Sequence, residues 1–426
     1  MNINNLNEKS FRLDAADPLK SYRKQFVIND ERKIYLDGNS LGRLPHKAKE
    51  KLIEVIEEEW GNNLISSWND HWLDRMKNVS GKLATILGAN QNEVLLADST
   101  SLNLFKLVYA VLNTRPGKTK IITDDLNFPT DIYILESIIN LLGNKHELVT
   151  VKSFDGIHPD IESLLAAIDD DTALITLSHV VFKSGYKYDA KSITDFARKK
   201  GVPVIWDLSH SAGSVPLYFS EWQIDYAIGC TYKYLNGGPG APAYLYVRED
   251  LQKELSSPIW GWFGDSSPFE FRLNFNEAAN IDKFNVGTPP ILSVSAIEPG
   301  LEITIEAGME NIRKKSELQS EFLLELIKTE LLPQGFTMGS PMDVEHRGSH
   351  ISIRHEHGYR ITQALINSDK LSKNVIPDFR TPDNIRLGIA PLYNSFVELF
   401  EAVEMIKKVV DEKLYLDYSA EIKSVT

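Results

Sequence analysis

A strand-then-helix rhythm between residues 93 and 247 constrains this chain more than any other feature. Short apolar runs fall at 93–97, 120–123, 148–151, 173–178, 202–207, 226–231 and 243–247. Helical periodicity fits between several of them, at 101–112, 130–142, 161–168 and 193–200. Apolar runs of this length alternating with amphipathic ones predict an α/β fold: a mostly parallel sheet covered on both faces. Ligands on such sheets bind beyond the carboxyl ends of the strands. The residues at those ends are therefore the first candidates for a site.

The flanks read differently. Residues 1–35 are polar and broken at Asp17-Pro18, which predicts an arm lying on the surface or on a partner subunit. A short strand at 34–37 is followed by the turn Gly38-Asn39-Ser40-Leu41-Gly42. Residues 47–60 carry Leu52, Val55, Ile56 and Trp60 at helical spacing. Trp60, Trp68 and Trp72 lie close in sequence, a pattern that suits core or interface packing. After Pro289-Pro290 a long helical pattern covers 293–330. Past Pro333 a smaller α+β unit is expected, with a strand at 350–355, a turn at Gly358, a helix at 361–367 and a last helix over 395–413. The expected division is 1–69 (arm and part of a small domain), 70–298 (large domain) and 299–426 (small domain).

Composition narrows the partners. With 426 residues, 42% hydrophobic and 25% charged, the chain is an ordinary globular protein large enough for two domains. A net charge of -13 argues against nucleic acid, which calls for a basic face. One cysteine, Cys230, cannot close an internal disulfide. The first residues lack the apolar core of a secretory signal, and no run is long enough to span a membrane. A cytoplasmic location is the expectation.

Two strand ends carry the most specific chemistry. The run at 202–207 ends in Asp207, with His210 one turn on; the run at 226–231 delivers Lys233 and then breaks at Gly237-Gly238-Pro239-Gly240. A lysine ammonium is costly to desolvate. In a pocket, a lysine amine can condense with an aldehyde. Asp then Lys at successive strand ends is the order a pyridoxal-phosphate (PLP) site requires: the carboxylate pairs with the protonated pyridine nitrogen and the lysine holds the aldehyde carbon. The same pattern suits a structural Asp and a snorkelling Lys.

Other constellations are weaker alone. Thr100 and Ser101, between a strand and a helix, could cradle a phosphate or simply cap the helix. Phe128 in Asn127-Phe-Pro-Thr-Asp131 could lie on an aromatic ring or mark a proline-containing helix start. Arg386 suits bidentate capture of a carboxylate, or a salt bridge. His179 and His210 are not in metal spacing, and histidines 346, 350, 355 and 357 cluster where no helix would place a clean i, i+4 pair with a carboxylate, so no metal is expected. No dinucleotide or Walker fingerprint and no Gly-x-Ser-x-Gly elbow occurs.

Taken together and in order, several stretches resemble kynureninase. They are Asp14-Ala-Ala-Asp-Pro18, Tyr35-Leu-Asp-Gly-Asn-Ser-Leu-Gly42, Asn127-Phe-Pro-Thr-Asp131, Trp206-Asp-Leu-Ser-His-Ser-Ala-Gly213, Thr231-Tyr-Lys-Tyr-Leu-Asn236, Gly261-Trp-Phe-Gly264, Thr288-Pro-Pro-Ile-Leu292 and Ala390-Pro-Leu-Tyr-Asn394. The resemblance implies PLP-dependent transferase fold type I, with a large mostly parallel-sheet domain and a smaller α+β domain. It implies a homodimer with sites at the subunit interface. It also implies hydrolytic cleavage of L-kynurenine, or its 3-hydroxy form, to anthranilate (or 3-hydroxyanthranilate) and L-alanine, in tryptophan catabolism and NAD biosynthesis.

By position, the resemblance makes Lys233 the Schiff-base lysine and Asp207 the pyridinium partner, helped by His210 and Asp131. Phe128 would stack on the ring, with Pro129 and Thr130 alongside. Thr100, Ser101 and Tyr232 would bind phosphate, and Trp262 and Thr288 would complete the pocket across the dimer. Ser178 falls at a further cofactor position. Tyr232 would also move protons during cleavage. Arg386 would take the substrate carboxylate, and Asn39, Ser40 and Trp68 would meet its aryl end. Two rivals remain: another lyase of this fold, such as a cysteine desulfurase, which needs a mobile cysteine; and a non-catalytic regulator, against which intact Lys233, Asp207 and Arg386 argue.

Overall fold

The computed structural model describes residues 3–422; residues 1–2 and 423–426, the tips of the expected end units 1–69 and 299–426, lie outside the described residues. The expected polar arm is instead a helix, α1 (Ile3–Ala16). Its Leu6 is fully buried in the C-terminal core, and Asp14 accepts hydrogen bonds from the Phe396 and Val397 amides at 2.8 and 3.0 Å. An acidic side chain there satisfies amides that a helix start leaves free. Strand β1 (Lys33–Tyr35) follows.

Helix α2 (His46–Glu54) runs into a wider-wound segment, Val55–Asn62, before α3 (Leu73–Leu87). The wider winding breaks the 3.6-residue stripe. Val55 is buried as its spacing predicts, but Ile56 and Trp60 face outward and Glu59 is buried in their place. Glu59 accepts from Arg75 of α3 at 2.7 Å and from the Trp72 indole at 2.7 Å.

The alternating region forms the predicted sheet. In chain order its elements are β2 (Val94–Leu96), α4 (Thr100–Asn113), β3 (Lys120–Asp124), α5 (Pro129–Leu141), β4 (Glu147–Val151), α6 (Ile161–Ala166) and β5 (Thr172–Ser178). Then come α7 (Ala190–Lys199), β6 (Val204–Asp207), α8 (Phe219–Trp222), β7 (Tyr226–Gly229), β8 (Tyr244–Val247) and α9 (Glu249–Gln252). The strand order is β2-β8-β7-β6-β5-β3-β4. Only β8 runs against its neighbours. Apolar clusters fill both faces, one under α3 and α7 and one under α4 and α5. The chain adds β4 outside β3 and then returns to lay β5 on the other side of β3, so strand order reverses there and a crevice opens at the carboxyl ends.

The long helical pattern splits into α10 (Ile291–Ala307) and α11 (Met309–Leu326) at Gly308. Helix α10 packs on α3 and α2, and its Leu301 still belongs to the core of the large sheet. The C-terminal unit holds β9 (Thr337–Met338), β10 (His350–Arg354), α12 (Gly358–Asn367), β11 (Asn374–Ile376), β12 (Asp378–Arg380), β13 (Asn384–Gly388) and α13 (Phe396–Asp411). Strands β12-β13-β10-β9 form an antiparallel sheet, and β11 pairs in parallel with β1. Gly358 opens α12 rather than making the expected turn; a Cβ there would lie 2.7 Å from the Asp383 carbonyl oxygen. Among the described residues no helix is long and apolar enough to cross a membrane.

Candidate active site

A cavity of about 630 Å³ opens at the carboxyl ends of the sheet strands. The fold brings Thr100, Ser101, Phe128, Thr130, Asp131, Ser178, Asp207, His210, Tyr232, Lys233 and Thr288 to its wall. Each arrives for a local reason. Thr100 opens α4, capped by the Ser99 hydroxyl. Phe128 precedes α5, where Pro129 at the first helical position fixes the entry angle. Ser178 and Asp207 are the last residues of β5 and β6, paired in register. Lys233 follows β7 on a turn closed by Asn236 N donating to its carbonyl at 2.9 Å.

Asp207 is buried. One of its oxygens accepts from the Ser209 amide at 2.8 Å and the Ser209 hydroxyl at 2.6 Å. Burial raises its pKa, while Ser209 and Lys233 pull it back. Burial, and then the Asp207 charge, push Asp131 well above the usual carboxylate range. Two buried carboxylates side by side cannot both ionise freely. The proton therefore sits on Asp131, which leaves Asp207 the charged member, as pairing with a cationic pyridine ring requires. One Asp131 oxygen is buried with no hydrogen-bond partner.

His210 Nε2 lies 3.0 Å from Lys233 Nζ. Burial, then the lysine charge, hold the His210 ring neutral, so it accepts from the ammonium. The Lys233 ammonium also sits 5.9 Å from the Tyr232 ring centroid. The Cys230 thiol beside it, then burial, push the Tyr232 phenol up, so it carries its proton at neutral pH. Ser178 Oγ donates to Asn127, whose amide nitrogen donates to Thr123 at 3.1 Å. Phe128, 40% exposed, meets Phe182 edge-on at 5.2 Å. A ring half open to solvent at the mouth, an acid pair at the base and a hydroxyl-lined helix start fit the ring, nitrogen and phosphate of PLP.

Other expected residues stand off the wall. Pro129 is exposed behind Phe128. Arg386, 1% exposed, donates to Asp378 at 2.6 Å, to the Phe182 carbonyl at 2.6 Å and to Ser40 Oγ at 3.0 Å. Phe182, whose carbonyl Arg386 holds, lines the cavity. Ser40 sits at the arginine. Asn39 is fully buried against Gly388 and does not reach the cavity. Trp68 packs on Trp72 at 5.2 Å and Phe263 at 6.1 Å. Trp262 stacks on Phe271 at 6.0 Å, outside this chain's cavity, whereas Thr288 lines the cavity of its own chain.

The sequence reading passed over Asp98, Ser99, Ser209, Phe182 and the 240–243 and Pro290 lining. Asp98, Ser99 and Ser209 lay inside runs already singled out. Phe182 had no local signal, because a turn far from any motif carries it in. Cys230 is buried, its thiol 3.7 Å from the Ser209 carbonyl oxygen and against the Tyr232 side chain, a packed setting unlike the mobile cysteine a desulfurase needs. Among the described residues no cluster could hold a metal ion.

Comparison with known proteins agrees with this geometry. A family model described as the kynureninase C-terminal domain matches residues 312–406. The chain is 40% identical over 420 residues to kynureninase from Pseudomonas fluorescens, covering 97% of this chain and 98% of that one. It is 38% identical over 413 residues to kynureninase from Burkholderia mallei, covering 96% of each. Among solved structures, a cysteine desulfurase from Thermococcus onnurineus superposes with a TM-score of 0.79 at 16% identity, covering 92% of this chain and 98% of that one. A C-DES variant with glycine covalently linked to its PLP cofactor gives 0.77 at 20% identity, covering 90% and 98%. Those two likenesses establish the type I fold of PLP enzymes.

Proposed function

The chain belongs to the kynureninase family, and from that premise we propose that it hydrolyses the Cβ–Cγ bond of L-kynurenine, of its 3-hydroxy form, or of both. The products are anthranilate or 3-hydroxyanthranilate and L-alanine. Its activity is PLP-dependent cleavage in tryptophan catabolism. The observation that carries the reading is the convergence of Lys233, Asp207 and the Thr100–Ser101 helix start on one cavity, in a chain that matches kynureninases along nearly its whole length.

When bound, PLP supplies an electron sink for the pair left on the substrate when Cα loses its proton. The protein supplies the rest. Lys233 would hold the cofactor through its amine, and that amine would serve as the base at Cα. Asp207, kept ionised by Ser209 and by the proton on Asp131, holds the ring nitrogen in its charged form. Thr100, Ser101, Tyr232 and Thr288 would take the phosphate, Phe128 would stack on the ring beside Pro129 and Thr130, and Ser178 and His210 would make further cofactor contacts. Tyr232, whose phenol keeps its proton, would donate to the γ-carbonyl oxygen as water adds there, regain a proton from that water, and give it to Cβ as the Cβ–Cγ bond breaks, the acid proton of the released product restoring the phenol. Arg386, oriented by Asp378, takes the substrate carboxylate. Asn39, Ser40 and Trp68 shape the substrate end through the walls behind it.

The working molecule in this proposal is a cytoplasmic homodimer that binds no nucleic acid, with Trp262 reaching the partner's site. The domains divide at about 1–69, 70–298 and 299–426, α10 bridging the last two. The test is turnover of both substrates, with product fluorescence as the readout, in wild type and Lys233→Ala. Turnover of at least one substrate, lost in Lys233→Ala together with the visible absorbance of the lysine-bound cofactor, is expected. No turnover of either, or an unchanged spectrum in a folded Lys233→Ala, overturns the assignment.

A further inference from the structure

Lys106 is fully buried on α4, within a face otherwise built from Asn103, Leu107, Ala110 and Val111. Core packing alone gives no reason for an ammonium there, since burying one is costly. Side chains on a helix lean toward its N-terminus. Lys106 accordingly reaches back along α4 to Asp98, donating to its carboxylate at 2.7 Å. Its second partner is the Phe284 carbonyl at 2.8 Å. Burial lowers the lysine's pKa, and the hydrogen bond to Asp98 and its charge offset only part of that, so the cation leans on that carboxylate.

Both partners bear on the phosphate end of the site. Asp98 lines the cavity directly beside Ser99, Thr100 and Ser101, in a left-handed backbone conformation with φ +48°. Phe284 ends a short turn that leads through Val286 to Thr288. The Val286 carbonyl lies so close to Gly261 that any Cβ there would collide, so the same segment braces the turn that carries Trp262. The charges matter as well. Among the described cavity-lining residues the carboxylates are Asp98, Asp131 and Asp207, and the one lysine or arginine is Lys233, held at His210. A phosphate entering beside Asp98 therefore meets a negative lip unless that carboxylate is neutralised.

We infer that Lys106 is a positioning residue for the cofactor phosphate: it neutralises Asp98 at the lip of the Thr100–Ser101 cup and ties that cup to the segment bearing Thr288. The inference rests on the cup being the phosphate site. It predicts a selective effect, because pyridoxal shares everything with PLP except the phosphate.

The test measures dissociation constants of PLP and of pyridoxal for the cofactor-free full chain. In Lys106→Met, PLP affinity should fall at least about tenfold, since an unpaired carboxylate then faces the phosphate, while pyridoxal affinity changes less than about threefold. Adding Asp98→Asn should restore most of the PLP preference. Asp98→Asn alone, which removes the carboxylate from the lip whatever the charge on Lys106, should hold or strengthen that preference, and it stands as the test if Lys106→Met fails to fold. Parallel loss of PLP and pyridoxal, no rescue by the double variant, or a weakened PLP preference in Asp98→Asn overturns the role of Lys106. Ser101→Ala separates the two readings. If it lowers the PLP preference while Lys106→Met does not, the cup stands and Lys106 is structural. If neither variant changes the preference, the phosphate lies elsewhere and both readings fall.

Discussion

Asp207 and Arg386 show how much one side chain owes to its neighbours. Asp207 is useful only while charged, and burial works against that; Ser209, Lys233 and the protonated Asp131 work for it. In Asp207→Asn, a neutral amide cannot keep the pyridine nitrogen protonated. Exchange of the L-alanine Cα proton into D2O should slow at least about tenfold, with a smaller change in PLP affinity. An unchanged exchange rate removes Asp207 from this role. Arg386 suited either a carboxylate fork or a salt bridge, and the structure holds it in a salt bridge to Asp378. The pairing orients the guanidinium, and with the Ser40 and Phe182 contacts it leaves one Nη1 N–H over for the proposed substrate carboxylate. Arg386→Ala should cost roughly 2–5 kcal/mol in transition-state binding, at least about 30-fold in kcat/KM. PLP affinity should hardly move. A fall of kcat/KM below about threefold, or parallel loss of PLP, makes the arginine purely structural.

At the scale of elements, the turn after β1 is the most constrained piece near the site. Ser40 N donates to the Asp37 carbonyl at 3.0 Å, and Gly388 N of β13 donates to the Leu36 carbonyl at 2.7 Å. The turn is thereby locked beneath the arginine strand, with one Asp37 oxygen buried and unpartnered. Burial, then the Asp378 charge, push Asp37 from 3.8 up to about 7, against Ser40 and Arg386. The folded chain thus holds a proton that the unfolded chain has already lost across that window. The stabilising contribution is complete below 3.8 and is lost as pH rises toward about 7. At about 1.4 kcal/mol per pH unit, the loss reaches about 4–5 kcal/mol at most. Asp37→Asn stays neutral throughout. Its Tm should fall less than the wild-type value between about pH 5 and about pH 8. Parallel falls exclude Asp37 as the group responsible.

Across the whole molecule, the apolar surface is uneven. Ile65 and Trp60 on the segment after α2, and Trp260, Phe271 and Leu273 on the loop before α10, are exposed, and Trp68 against Phe263 joins the two regions. The proposed dimer would cover a patch of this kind. The same loop carries Trp262, so the patch and the proposed cross-subunit contact coincide. Sedimentation velocity at micromolar concentration should give a dimer, with PLP affinity falling on dilution to monomer. A fully active monomer would rule out a site shared between subunits.

The sequence by itself determined the sheet, because each strand is a short apolar run whose burial on both faces leaves no other packing. It also determined the strand-end residues Ser178 and Asp207 and set Lys233 a few residues past the next strand, since a strand must stop where its carboxyl end meets the crevice. Runs in order were enough to suggest the family. Tertiary structure decided what depends on segments distant in the chain. Wider winding after α2 exposed Ile56 and Trp60 and buried Glu59, because an ion pair with Arg75 replaced an apolar stripe. The N-terminal arm became a helix because the C-terminal core offered Leu6 a place and the start of α13 needed Asp14. Arg386 gained Asp378, Phe182 and Ser40 from three separate stretches, and Lys106 gained Asp98 and Phe284. No local pattern encodes such meetings: a polar side chain's role is set by which partners surround it once water has been excluded, and only the folded chain assembles them.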